Sequence, residues 1–298
     1  MARRADTRAT VEVAERLGFD SLWVGDHIAF PMPILDPLLQ LAQAAAFSER
    51  LWFGTSVYLL PLRHPTPVAK QVVTLDHLSE GRFVFGVGVG GEFPAEYAAC
   101  GVPVRERGAR LEEGIRLLKH FFQGQETATP GPLFPIPAVR MQPRPVQAGG
   151  PPIWCGGRSE PALRRAGRLA DGWISYVVTP EAYARGLETI AAGAEAVDRD
   201  LGSFGTGHLL FTRIDNDHER ALDIASDHLS RRYAMDFRRA AKRYAALGRP
   251  EDVAERIAEF WSAGLRHVVL DLVGPLDERN EQLERFSAEV KPLLTALA

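Results

Sequence analysis

The sequence predicts an α/β chain of the TIM (β/α)8 type, a parallel barrel that lacks its first strand at the N-terminus. Three observations carry this. Helix-like and strand-like apolar patterns alternate along the chain, the strand-like runs are short, and glycine or polar residues cluster directly after them. The chain has 298 residues, within the usual range for one such barrel, so residues 1–298 are expected to form a single domain.

Val11, Ala14 and Leu17 recur at helical spacing between Glu12, Glu15 and Arg16, and Gly18 stops the helix. The strand Ser21–Gly25 follows directly. The alternation continues through helix Pro37–Ser48, strand Leu51–Tyr58, helix Thr66–Leu78, strand Arg82–Val87 and helix Glu106–Phe122. Between residues 124 and 152, Pro and Gly interrupt the rhythm, which marks an excursion loop. The pattern then resumes with strand Pro152–Cys155, helix Glu160–Leu169, strand Gly172–Ser175, helix Pro180–Arg199 and strand Gly207–Ile214. A pair of helices between His218 and Ala263, the strand His267–Leu272 and a closing helix Glu278–Leu297 complete it. These are seven strands where a closed barrel has eight. The chain begins inside what would be the first helix, so the deficit falls at the front. A parallel barrel short of one strand leaves two unpaired edges, and the expectation is a truncated start or a replacement of that strand by another segment.

Composition narrows the function classes. The chain is 46% hydrophobic and 24% charged, the balance of an ordinary globular protein. A formal net charge of -3 and the lack of a long Lys/Arg run speak against nucleic acid or an anionic membrane as partner. Cys100 and Cys155 lie far apart without CxxC spacing, so neither a disulfide framework nor a zinc site is expected, in keeping with a reducing cytoplasm. The N-terminal segment lacks the continuous apolar stretch of a signal peptide, and no run reaches membrane-spanning length. The histidines show no HExxH spacing and no GxSxG elbow is present, so neither a metal site nor a serine hydrolase is expected.

In a parallel barrel the ligand lies at the strand C-terminal ends, so the residues just after each apolar run are the candidates. Asp26 and His27 emerge together after the first strand, either as site groups or as a turn cap and a partly buried imidazole. In the segment Gly54–Pro61, Thr55 and Ser56 are small enough to let a flat ring approach the backbone, and a buried strand is the plainer reading. Arg63 and His64 in the loop beyond it face either an anionic substrate or solvent. Gly86–Glu92 is rich in glycine but does not follow GxGxxG into a helix, so a Rossmann site is not expected. Its glycines lower the wall, and Glu92 is a carboxylate for the rim. Finally, Gly156, Gly157, Arg158 and Ser159 lead a strand into a helix start and supply more donors than a cap requires, which favours an anion site.

The segments Ala14–His27 (AERLGFDSLWVGDH), Leu51–Pro65 (LWFGTSVYLLPLRHP), Ala69–Glu92 (AKQVVTLDHLSEGRFVFGVGVGGE) and Pro151–Trp173 (PPIWCGGRSEPALRRAGRLADGW), in this order, resemble the bacterial-luciferase-like family of flavin- and coenzyme F420-dependent oxidoreductases. The branch dependent on coenzyme F420 is the nearest in pattern. The resemblance implies a barrel that carries FMN or F420 and is often a dimer. It puts Asp26 and His27 beside the ring, a non-proline cis peptide at Ser56–Val57 behind it, Gly88, Gly90 and Glu92 along the cavity, and the phosphate at Gly156, Gly157, Arg158 and Ser159. The extra Gly91 shifts the match at Glu92. The Asp-His pair, the Thr-Ser-Val strand and a chain too short for a long lid lean towards F420. The implied reaction is hydride transfer between F420 and a small organic substrate, with His27 and Glu92 as candidate proton donor or acceptor. Two alternatives stand beside it: an FMN-dependent two-component monooxygenase fed by a separate reductase, and a non-catalytic barrel that binds flavin or a partner. The substrate is set by loops such as 28–35 and 124–150.

Overall fold

The strand-like runs fold as parallel strands, each handed on by a helix that covers its outer side. The computed structural model describes residues 4–295 apart from 92, 125 and 127–130. In chain order the elements are α1 (Arg4–Arg16), β1 (Ser21–Val24), α2 (Pro37–Ala45), β2 (Trp52–Thr55), α3 (Pro65–Leu78), β3 (Phe83–Val87), α4 (Pro94–Ala99), α5 (Arg107–Phe122), β4 (Ile153–Gly156) and α6 (Glu160–Leu169). Then follow β5 (Gly172–Tyr176), α7 (Pro180–Glu195), β6 (Gly205–Ile214), α8 (His218–Tyr233), α9 (Arg238–Tyr244), β7 (Ala246–Gly248), α10 (Pro250–Ser262), β8 (His267–Leu272), α11 (Arg279–Arg285) and α12 (Lys291–Thr295). None of the described helices is long and apolar enough to cross a membrane.

Strands β1 to β6 pair in sequence order, all parallel. The long β6 then serves two neighbours on its free side: Gly207–Thr212 pairs with β8, and Thr212–Ile214 pairs with β7. All the expected strands are present. The stretch read as a pair of helices is corrected, because it holds α8, α9 and α10 with the short β7 between the last two. Among the described residues no ladder joins β1 to β8, so the wall is open where the absent first strand would stand.

Alternation along each strand divides an inner from an outer face. The register sets Trp23 beside Gly54, Trp154 beside Gly86 and Gly172, and His267 beside Gly207. These three rings meet inside the barrel: Trp23 and Trp154 have centroids 5.6 Å apart, and His267 lies 5.3 and 5.8 Å from them. A Cβ at Gly54 would lie 2.3 Å from the Trp23 indole, and one at Gly205 2.2 Å from that of Trp154. Two large rings thus fill the floor because the facing positions carry no side chain. Ser21 Oγ reaches His267 Nε2 at 3.2 Å across the open wall. On the outer face Trp173 stacks on Tyr183 of α7 at 4.7 Å, and His208 stacks on Phe260 of α10 at 4.3 Å.

Candidate functional site

The chain leaving β1 is fixed by two buried carboxylates. Asp26 has no exposed side-chain surface and accepts from Arg63 Nη1 at 2.5 Å, Arg63 Nη2 at 2.9 Å and the Leu59 N–H at 2.8 Å. Burial works against the Arg63 guanidinium, but the Asp26 contact outweighs it and raises its pKa. The same guanidinium lies 4.2 Å from the centre of the Tyr58 ring. Asp26 therefore ties the β1 end to the loop after β2. The expectation that Arg63 faces a substrate or solvent is corrected, since both its terminal nitrogens are taken by Asp26. His64 in the same loop is the N-cap of α3, accepting from the Thr66 N–H at 3.3 Å.

His27 is held by Glu96, which sequence reasoning did not single out. Glu96 Oε1 lies 2.7 Å from His27 Nδ1, and its Oε2 accepts from the Ile28 N–H at 2.8 Å. The carboxylate is almost wholly buried, while the imidazole keeps 19% of its surface. Phe30 stacks on that imidazole at 4.0 Å and Phe93 meets it edge-on at 5.6 Å. With Glu96 ionised, Nδ1 carries a hydrogen and Nε2 is the nitrogen left to meet a ligand. Glu96 stands on the first turn of α4, four residues beyond Glu92. The glycine-rich strand end pointed to a rim carboxylate, but proximity to that end singled out Glu92, which lies outside the described residues.

The peptide Ser56–Val57 is cis. Val57 projects into space left by two glycines: a Cβ at Gly88 would lie 2.4 Å from one Val57 methyl, and one at Gly156 2.8 Å from the other. These two glycines thus let the ends of β2, β3 and β4 close around Val57, a use that composition alone did not distinguish from lining the cavity. Gly90 adopts φ +57°, and a Cβ there would lie 2.9 Å from Leu59. At the end of β4, Gly157 has φ +110° and its carbonyl accepts from Trp173 Nε1 at 2.8 Å. Ser159 is the N-cap residue of α6, yet its hydroxyl makes no capping hydrogen bond. Arg158 is exposed and lies over the Tyr176 ring at 5.1 Å. A left-handed glycine, an uncapped helix start, a free hydroxyl and a guanidinium without a carboxylate partner among the described residues fit an anionic group such as a cofactor phosphate.

Three similarities bear on this arrangement. An F420-dependent glucose-6-phosphate dehydrogenase of Beutenbergia cavernae is 30% identical, over 98% of this chain and 94% of its own. Among solved structures, an F420-dependent secondary alcohol dehydrogenase in complex with an F420–acetone adduct superposes with a TM-score of 0.86 at 19% identity, covering 98% of this chain and 95% of that one. The monooxygenase RslO1 of Streptomyces bottropensis does so with a TM-score of 0.84 at 23% identity, over 97% and 93%. Both solved structures share the fold. The family model for luciferase-like monooxygenases matches residues 2–267, and the chain belongs to that family.

Proposed function

We propose that the protein transfers a hydride between coenzyme F420 and a small organic substrate. The observation that carries this reading is the His27–Glu96 pair at the end of β1, which leaves one imidazole nitrogen free at the mouth of the barrel. The 30% identity to an F420-dependent dehydrogenase over nearly the whole chain supports the choice of cofactor. When bound, the deazaflavin would supply or take up the hydride at the carbon that replaces flavin N5. The chain's own residues do the rest. His27 gives or takes the substrate proton at Nε2, Glu96 fixes the ring and its tautomer, and Phe30 covers one imidazole face while Phe93 packs beside it. Glu92 is a second proton-handling group in this reading. Gly156, Gly157, Arg158 and Ser159 hold the phosphate, and the protein works as a homodimer.

Adding F420 and FMN separately and following fluorescence tests the reading. Saturable F420 binding is expected. Tight FMN binding with none for F420 would replace it with a monooxygenase fed by a separate reductase, and binding of neither would favour a non-catalytic barrel.

A further inference from the structure

Beside the phosphate loop a cleft of about 250 Å³ opens between the N-terminal turns of α6 and α7 and the C-terminal end of α9. Arg158, Arg185 and Arg243 reach it from three different elements, over a floor that includes Trp173 and Tyr244, and no carboxylate lines it. Three arginines on neighbouring helices are ion-paired: Arg164 with Glu160 at 2.9 Å, Arg168 with Glu112 at 2.9 Å and Arg256 with Glu259 at 2.8 Å. The three in the cleft have no such partner among the described residues, and two of them rest over tyrosine rings, Arg158 on Tyr176 and Arg243 on Tyr244. The exposed Glu181, one turn before Arg185 on α7, has its carboxyl held below its ordinary range first by the Thr179 hydroxyl, with Arg185 the weakest of its influences. Three guanidinium groups in a lining without a carboxylate leave the cleft positive.

We propose that this cleft binds an anionic extension of the cofactor beyond its phosphate, with Arg185 and Arg243 as its principal contacts and Arg158 shared with the phosphate. The inference rests on the cofactor reading above and deepens it. FMN ends at its phosphate, whereas F420 continues through a phosphodiester into a tail of carboxylates, and planar guanidinium forks suit carboxylates. A site that reaches past the phosphate therefore has work to do only for the second cofactor.

The test is a fluorescence titration of the native protein and of an R185A/R243A double variant with three ligands: F420, a deazaflavin cut back to its ribityl chain, and FMN. The double variant is expected to bind F420 about tenfold more weakly, as two solvent-exposed ion pairs allow, with the loss shrinking at high salt. It is expected to bind the truncated deazaflavin and FMN within about twofold of native protein. R185K/R243K, which keeps the charge, recovers part of the F420 affinity. All three arginines are exposed, and matched circular dichroism spectra check the fold. Unchanged F420 affinity in the double variant, or an equal loss for FMN, would overturn the tail site and leave the hydride-transfer reading standing. A native protein that binds FMN but not F420 would overturn both.

Discussion

The imidazole of His27 and the carboxylate of Glu96 form a hydrogen-bonded pair, and on the proposed function the first meets the ligand while the second only positions it. Substitution separates these roles. His27→Ala is expected to lower turnover about 10²- to 10⁴-fold, measured by F420 absorbance with a substrate found by screening small alcohols and sugar phosphates against native protein. Unchanged turnover would remove His27 from the mechanism. Glu96→Gln keeps shape and one acceptor but loses the charge that sets the His27 tautomer. Its expected signature is a fall in kcat of about tenfold or more with KM and cofactor affinity retained, as for other groups that orient a catalytic side chain. A general loss of thermal stability without that split would mark Glu96 as structural only. Asp26 is tested by stability. Removing its carboxylate strands the largely buried Arg63, so Asp26→Ala is expected to cost about 3–5 kcal/mol in urea unfolding. Adding Arg63→Met should recover part of the loss, because no buried charge then remains unpaired; a further loss would contradict this account.

At the scale of elements, the positions of α6 and α7 decide where the proposed phosphate loop and the arginine cleft lie. The two helices touch backbone to backbone. A Cβ on Gly167 of α6 would fall 2.0 Å from the Ile190 carbonyl oxygen, and one on Gly193 of α7 would fall 2.7 Å from that of Arg164. Gly→Ala in a helix interior ordinarily stabilises by about 0.5–1 kcal/mol. Here Gly167→Ala is expected to destabilise by about 1–3 kcal/mol, because the helices must separate; thermal unfolding of the variant reads the sign, and a raised Tm would refute the contact. Such contacts explain what the sequence alone made legible. The strands were readable because each is an apolar run bounded by turn residues, and α6 because it follows Gly-Gly with a Ser and a Pro. β7 was not, since Ala246-Leu247-Gly248 has no periodicity of its own and becomes a strand only by pairing with the end of β6. Asp26, His27 and the anion loop stood out as polar residues at strand ends. Glu96 and Arg63 did not, because their roles depend on which loops meet in space: His27 and Glu96 are 69 residues apart, and Asp26 and Arg63 are 37 apart. The uses of Gly88 and Gly156 likewise depend on Val57, which lies on a different strand end.

For the whole molecule, two features of the barrel wall have measurable consequences. The first is His208, on the outer face between β6 and α10, with Nδ1 2.7 Å from Ser175 Oγ. Burial pushes its pKa down from 6.5 to about 3. Between those values the unfolded chain binds a proton that the folded chain does not, so stability rises with pH across that window. The contribution is full above about pH 6.5 and is lost as pH falls, with a slope of roughly 1.4 kcal/mol per pH unit. His208→Leu should flatten the acid side of a urea-unfolding profile by up to that slope, and an unchanged profile would mean the imidazole is already protonated in the fold. The second feature is the open wall. Among the described residues, β4 is paired on both sides, whereas β1 pairs only with β2, and β8 only with β6. Across the gap, among the described residues, stand side chains: Ser21 bonded to His267, and the Trp23–Trp154–His267 cluster behind them. Side chains exclude bulk water from the floor, but they do not satisfy the backbone N–H groups that face the gap. Successive N–H groups of a parallel strand are directed to alternate sides, so about half of those in β1 and β8 point into the gap. Those amides are expected to exchange with deuterium orders of magnitude faster than the amides of β4, while the other half are protected by their ladders. Residue-resolved exchange distinguishes the two sets. Uniform protection across β1 and β8 would show that another strand, from this chain or from a second copy, closes the barrel in solution.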